Sequence, residues 1–318
     1  MNRDLNLVAW ARCLFVGLLL TGCSVISPGP TPTPDPSAFY KELAHRYAPV
    51  IRHVVASDQD FITTVNFDGD WVGNNNWENQ PEGDLSAHVY YSVVETERHW
   101  YLLYSLFHPR DYTYDPCEDT SGCHENDVES IVMAVAKDGT SFGRLVVMGT
   151  LAHGDMFLYT PEPVSSPDVQ GPIELEEGHP VVWVQAYGHG IVGHPRIMLP
   201  HFIVYRVGER AEVPESLEDE DVSYQLVSIY DTLWAHRDEV GPGQAFDQPF
   251  SYRGYTLPAR IDGDNHGADR ASAPWGHHGG DLLLDPAKVL IDHVGTDGDF
   301  SWEYVFNPYW VDMGFLDP

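Results

Sequence analysis

The feature that most constrains the fold is a succession of short segments rich in β-branched and aromatic residues, separated by clusters of Gly, Asn, Asp and Pro. Segments of this length, many with alternating apolar and polar residues, are typical of β-strands. Helical patterns occur only at 37–48, where Ser37 can cap the first turn before Pro49 ends the helix, and at 230–238. We therefore predict a mainly β protein, an antiparallel β-sandwich with long loops and a few short helices. The predicted strands cover residues 50–56, 88–94, 100–107, 128–136, 144–151, 181–186, 202–207, 222–229 and 302–306.

The first 36 residues have a composition unlike that of the rest of the chain. Basic residues precede an apolar run at 14–20, which is far too short to span a bilayer and has the length of a signal-peptide core. The run leads into Leu-Thr-Gly-Cys at 20–23, which resembles the lipobox of bacterial lipoproteins. The resemblance implies a signal peptide at 1–22, an acylated Cys23 that anchors the chain, and export to the bacterial cell membrane, the outer membrane if the cell is Gram-negative. We expect a Pro/Thr linker to occupy 23–36 and a single domain to occupy 37–318.

The chain is strongly acidic, with a formal net charge of −31 at pH 7. Phosphate groups would be repelled, so we expect no nucleic acid partner, and a divalent cation is a more natural one. Solubility or adaptation to high salt is the alternative explanation of the charge. The sequence has no GxGxxG, Walker loop, GxSxG or HExxH motif, so we expect no organic cofactor and no covalent nucleophile of those classes.

The chain has four cysteines, and export of the protein would explain the role of each. Cys13 belongs to the predicted signal peptide and Cys23 is the predicted lipid site. The remaining two, Cys117 and Cys123, would lie in an oxidising compartment, and we predict a disulfide that closes a small loop. A metal-binding thiolate pair is the alternative, but no nearby partners complete a zinc site.

The segment 123–130 brings one imidazole and two carboxylates together within six residues. If Val128 begins a strand, Asp127 and Glu129 point to the same face, and His124 lies in the loop before them. An oxygen-rich set with one nitrogen favours Mg²⁺, Ca²⁺ or Mn²⁺ over Zn²⁺. The predicted disulfide ends one residue before His124 and would restrict the motion of that loop.

The letters H-E-N-D-V-E at 124–129 resemble the H-x-x-D-W-E core of the necrosis- and ethylene-inducing-like cytolysins. They are also similar to the H-E-G-D-W-E motif of the vacuolar-protein-sorting-associated β-sandwich family. The resemblance implies a cytolysin-like fold and a divalent-cation site. The ligands that it implies are His124, Asp127, Glu129 and, upstream, Asp115 or Asp111.

The match to these families has departures and one further point of agreement. Val128 stands where the families have Trp, and Asn126 stands where they have Gly or His. The stretch 181–190 is similar to the strand and Gly/Ser-His turn that follow in those families, which makes His189 a candidate beside the metal. His153 is the next candidate, and both could act as ligands or as general acids and bases near neutral pH. A lone histidine of this kind is more often structural.

Three other segments have polar patterns with weaker implications. Residues 262–269 resemble the start of a calcium loop, but Ala273 stands where an EF-hand needs Glu, and a polar turn is the alternative. His277 and His278 form another His-rich cluster nearby. Trp77 could contact a sugar or a lipid headgroup, or it could be a buried aromatic residue in a surface loop.

These patterns support three hypotheses and do not decide whether the protein is an enzyme. In the first, a surface-anchored lipoprotein uses a divalent metal to bind a glycan or lipid headgroup, as the cytolysin resemblance implies. In the second, the metal activates water to hydrolyse a phosphoester, ester or glycosidic bond. In the third, the metal only stabilises a structural lipoprotein.

Overall fold

The computed structural model of the chain describes residues 36–113, 117, 123–163, 166–195, 201–263, 271–294 and 300–317. The chain divides after Asp35 into two compact units. The fold described below is that of the unit Pro36–Pro318. The predicted signal peptide, Cys23 and Asp115 lie outside the described residues. In the described part of the chain, no helix combines the length and the apolar character needed to cross a membrane.

The protein is mainly β, as predicted, with 40% strand and 18% helix. The helices are Pro36–Tyr47 (α1), Asn76–Asn79 (α2), Asp281–Leu284 (α3), Pro286–Val294 (α4) and Pro308–Asp312 (α5). The strands are Val50–Val54 (β1), His88–Thr96 (β2), His99–Asp111 (β3), His124–Ala136 (β4), Arg144–Ala152 (β5), Asp155–Thr160 (β6), Val169–Pro172 (β7), Leu175–Glu176 (β8), His179–Val184 (β9), Ile191–Val192 (β10), Phe202–Val207 (β11), Val222–Ser228 (β12), Phe246–Tyr252 (β13), Tyr255–Ile261 (β14) and Tyr304–Phe306 (β15).

Eleven strands form one curled open sheet, a half-barrel, and the two-sheet sandwich that we expected is not confirmed. The order across the sheet is β10-β9-β1-β11-β12-β2-β3-β4-β5-β6-β7, while β15 adds to β2 and β8 to β9. The centre of the sheet is an antiparallel meander, β2 to β6, whose strands follow one another in the sequence. The strands β13 and β14 form a separate hairpin.

The central strands are buried on both faces because their side chains alternate between two apolar cores. Along β3, one set of side chains enters a core shared with Trp234, Trp275 and the leucines of α3. The other set enters a core shared with α1, β1 and β11. The first set is Tyr101, Leu103 and Phe107, and the second is Leu102, Tyr104 and Leu106.

Three local predictions differ from the structure. The fourth strand begins at His124 and not at Val128, so His124 belongs to the sheet and not to the preceding loop. No strand was predicted between residues 238 and 261, but this segment contains the hairpin of β13 and β14. The helix expected at 230–238 is a 3₁₀ turn, Leu233–His236, whose Leu233 and Trp234 are buried.

Candidate functional site

The candidate site lies where the long antiparallel strands β3 and β4 approach their connection. The register places Asp111 opposite His124 and His108 opposite Asp127. The Cβ atoms of directly opposed residues in an antiparallel pair of strands lie about 4.5–5.5 Å apart. Strand pairing alone therefore places Asp111 beside His124 and His108 beside Asp127.

Asn126 interrupts the ladder between His124 and Asp127. It has a left-handed φ of 61° and is completely buried. Its side-chain amide donates to the carbonyl oxygens of Gly73 (2.9 Å) and Asp262 (2.8 Å), while its oxygen accepts from the Asn76 amide at 2.6 Å. Asn tolerates this backbone region better than most residues, so it can both make the turn and anchor the strand to two segments, the one at 73–76 and the one that follows β14.

The strand ends open into a cleft of about 580 Å³. Asp127 and Glu129 both line it, as the period-two alternation of a strand predicts. The opposite wall comes from the segment around β14 and from the turn that holds His277. The lining residues are Asp111, Tyr112, Thr113, His124, Asp127, Val128, Glu129, His153, Gly154, Gly188, Arg260, Ala271, Ser272 and His277.

Glu129 is a buried carboxyl group with one unsatisfied oxygen. Its Oε1 accepts the backbone N–H of His153 at 2.8 Å, whereas its Oε2 has no hydrogen-bond partner in the part of the chain that the structure describes. Burial, and then the neighbouring charge of Asp127, raises the pKa of Glu129 well above its usual range. A cation placed between these two carboxylates would offset both effects.

His124 is held between backbone and side-chain oxygens. Its Nδ1 lies 2.8 Å from the carbonyl oxygen of Asn126, and its Nε2 lies 3.3 Å from Oδ2 of Asp111. Burial lowers the pKa of His124, but the hydrogen bond and charge of Asp111 outweigh it and raise the pKa to about 9. The upstream acid that faces the motif is therefore Asp111 in the described part of the chain.

His189 lies behind Asp127, on a left-handed backbone with a φ of 50°. Its Nδ1 is 2.9 Å from Oδ2 of Asp127, and its Nε2 is 3.1 Å from Oδ1 of Asp60. Burial alone lowers the pKa of His189, but the two carboxylates raise it to about 10. Likewise, burial raises the pKa of Asp60, while the hydrogen bond and charge of His189 bring it down to about 2. This arrangement is a buried imidazolium clamped between two carboxylates.

Two further imidazoles, His53 and His108, complete a buried cluster with His189. The His108 and His189 rings are stacked, with centroids 3.6 Å apart and planes at 5°. All three side chains are fully buried, and one nitrogen from each lies within 4.8 Å of the others. Among the described residues this is the one group of three His, Cys, Asp or Glu side chains whose ligand atoms lie this close together. The ligand atoms of His124, Asp127 and Glu129 are farther apart, so these side chains must move closer to one another to share an ion.

Among the described residues, the His108 ring has no hydrogen-bond partner, and the His53 ring has only a contact with the backbone of Gln185 that falls outside ordinary hydrogen-bond geometry. Burial lowers the pKa of His53 to about 3 and that of His108 well below its usual range, so both rings are neutral. Sequence reasoning missed His53 and Asp60. The available signals were the apolar alternation of β1, which turns His53 inward, and the capping box that Ser57 forms with Asp60.

The remaining histidine candidates lie on opposite sides of the cleft. His153 is exposed, and its Nε2 lies 3.2 Å from Oε1 of Gln185. His277 bonds the carbonyl oxygen of Val128 through Nε2 at 3.2 Å, and burial lowers its pKa to about 4. One exposed and one partly buried imidazole therefore accompany the carboxylates.

The other sequence predictions have mixed outcomes. The Cys117–Cys123 disulfide is present, as predicted. Trp77 is half-buried, and the Arg110 guanidinium lies over its ring at 4.7 Å. Most of the calcium-like segment at 262–269 lies outside the described residues; Asp262 itself is buried and accepts the N–H of Gly243 at 2.7 Å.

No family model and no curated protein matches the chain. Similar solved structures include one described as a toxin fold for microbial attack and plant defense, with 18% identity over 52% of this chain and 72% of that one (TM-score 0.35). A complex of NLPPya with mannosamine has 17% identity over 61% and 76% (TM-score 0.33). Necrosis and Ethylene inducing Protein 2 from the causal agent of cocoa's Witches Broom disease has 14% identity over 62% and 79% (TM-score 0.36). Similarity at this level assigns neither a ligand nor an activity to this chain.

Proposed function

We propose that this chain is a surface-anchored lipoprotein that binds a divalent cation in the cleft and, through it, a glycan or lipid headgroup. The proposed ligands are Asp111, His124, Asp127 and Glu129. The observation that carries the proposal is the unsatisfied, buried Oε2 of Glu129 beside a second carboxylate. Buried charges of one sign are costly unless a counter-charge accompanies them.

The donor set fits a hard cation. Three carboxylates and one imidazole are the ligands that Mg²⁺, Ca²⁺ and Mn²⁺ prefer, and the cleft leaves room for hydroxyl groups of a ligand to complete the coordination. A bound cation would supply positive charge that fixes the carboxylates and attracts ligand oxygens. The chain's own part is to hold these groups on a rigid hairpin and to exclude bulk water from one side of the cleft.

Lipid attachment at Cys23 would hold the cleft close to a membrane surface. The linker at 23–36 contains five prolines by sequence, and such a segment favours an extended spacer. The proposed ligand is therefore a headgroup or glycan that is presented at a cell surface.

The test is ion binding by the full chain, purified in detergent with its disulfide intact. Calorimetry with Ca²⁺, Mg²⁺ and Mn²⁺ should give one ion per chain, and Glu129→Gln or Asp127→Asn should weaken binding at least about 100-fold, because each removes a charged ligand. The matched control is Glu97→Gln, which changes an exposed acid at the opposite end of β3. Absence of ion binding in the parent chain would overturn the proposal.

Ligand binding is measured next, with the amino sugars mannosamine and glucosamine and with glycolipid vesicles as probes. Binding that requires the cation supports the proposed function. An ion that raises the melting temperature but supports no ligand binding would instead indicate a structural role.

Hydrolysis is the second candidate function, because His153 and His277 line the same cleft as the carboxylates. A neutral imidazole within reach of a cation-bound water could serve as a general base. Ion-dependent cleavage of phosphoester, ester or glycoside substrates that is lost in His277→Gln or His153→Gln, with ion binding retained, would favour this function over binding.

A further inference from the structure

The cluster of His53, His108 and His189 is chemically different from the cleft in front of it. The cleft presents mainly oxygen donors, whereas the cluster presents three imidazoles that are shielded from solvent. A buried polar atom without a partner costs about 1–3 kcal/mol, and among the described residues both ring nitrogens of His108 are in this state, while His53 has only a contact with the backbone of Gln185. An unsatisfied group of this kind requires a physical explanation, such as a bound ion or water.

We propose that His53, His108 and His189 form a second metal site, which takes a transition-metal ion of the zinc class. Imidazole is a preferred ligand of Zn²⁺, and three imidazoles are a common ligand set for it. The ligand nitrogens already lie within 4.8 Å of one another. Because the His108 and His189 rings are parallel, one of them must turn about its Cβ–Cγ bond to direct its lone pair to a shared ion.

The surroundings of His189 support this assignment. Histidines that ligate metals almost always pass their other ring N–H to a carboxylate, which fixes the orientation of the ring. His189 has a carboxylate at each nitrogen, Asp127 at Nδ1 and Asp60 at Nε2. In a metal-bound state, one nitrogen of His189 would bind the ion and the other would keep its carboxylate.

The position of Asp127 links the two sites. Its Oδ2 contacts His189, while the side chain also lines the cleft. The two sites share Asp127, so they are tested with variants that leave this residue in place, Glu129 for the cleft and His53 with His108 for the second site. Loss of one site can therefore be measured with the other intact.

The test uses the full chain, unfolded and refolded with Zn²⁺ because the site is closed to solvent. Elemental analysis should find one tightly held zinc ion, and X-ray absorption at the zinc edge should show imidazole ligands with Zn–N distances of about 2.0–2.1 Å. His53→Gln with His108→Gln should weaken zinc binding more than about 100-fold, while Ca²⁺ or Mg²⁺ binding is unchanged. Glu129→Gln should weaken Ca²⁺ or Mg²⁺ binding and leave zinc binding unchanged.

The control variant is His179→Gln, which removes a partly buried histidine that bonds the carbonyl oxygen of Ala48, outside the cluster. Zinc retained in the double variant, or an absorption spectrum with oxygen ligands alone, would overturn the proposal. If the double variant fails to fold, the spectrum of the parent chain still decides between imidazole and oxygen ligation. An increase in the melting temperature of zinc-free His53→Phe, without zinc binding by the parent, would identify the cluster as unliganded buried imidazoles.

Discussion

Asn126 provides the sharpest test of how the site is anchored, through the variants Asn126→Gly and Asn126→Ala. Both remove three buried hydrogen bonds, to Asn76, Gly73 and Asp262. Each bond contributes about 1 kcal/mol net, and more if its partner remains buried and unsatisfied. We therefore expect each variant to lose at least about 3 kcal/mol of unfolding free energy.

The two variants should differ in a defined direction. Glycine adopts a φ of 61° without strain, but its greater freedom in the unfolded chain costs about 0.5–1 kcal/mol. Alanine avoids that cost but pays about 1–2 kcal/mol for the left-handed backbone. The backbone strain of the alanine variant is larger than the entropic cost of the glycine variant. Asn126→Ala should therefore be less stable than Asn126→Gly by about 0.5–1 kcal/mol.

The assay is urea denaturation followed by tryptophan fluorescence, with equal slopes required before free energies are compared. Asn79→Ala is the matched control, since it removes one partly buried bond, to Asp68 at 2.7 Å, and should cost about 1 kcal/mol. A loss below about 1 kcal/mol in Asn126→Gly, or an alanine variant more stable than the glycine variant, would refute the reasoning.

Three further predictions concern charge and covalent closure. Glu129→Gln should abolish the rise in melting temperature that Ca²⁺ or Mg²⁺ produces, because an amide cannot supply the negative charge of the carboxylate; a parent-like response to the ions would contradict this. The pKa of His189 is raised from 6.5 to about 10, so its stabilising contribution is complete below pH 6.5 and is lost as pH rises through 10. Urea midpoints should fall over that window more steeply in the parent than in His189→Gln, and equal slopes would exclude the charged clamp. Replacing Cys117 and Cys123 with serine should cost roughly 2 kcal/mol, the loop-entropy value for so short a loop, and should weaken cation binding in calorimetry; an unchanged urea midpoint would show that the loop is ordered without the bond.

The sequence predicted most of the central sheet because its strands are long and contain many β-branched and aromatic residues. It also predicted that Asp127 and Glu129 share a face, since this follows from strand geometry alone. The curvature of the single sheet could not be predicted, because it depends on how β1, β9, β11 and β12 join the meander.

The buried part of the site was harder to predict for a different reason. His53 and Asp60 are distant in sequence from the motif at 124–129, and they meet His189 only through the pairing of β1 with its neighbours. Hydrophobic alternation shows that His53 is inward but does not show what it contacts. Likewise, Asn126 stands on a left-handed backbone where the resembling motifs have Gly or His, and its partners come from two distant segments, at 73–76 and at Asp262.

The register of β3 and β4 makes the site tolerant of change between Cys117 and Cys123, provided that the disulfide is kept. Asp111 and His124 are held opposite each other by backbone pairing, and the intervening residues supply none of the four proposed ligands. Surface connections accept insertions at small entropic cost, since doubling the length of a loop adds only about 0.6 kcal/mol. The residues between the two cysteines can therefore diversify, or accept a grafted peptide, while the four proposed ligands keep their positions.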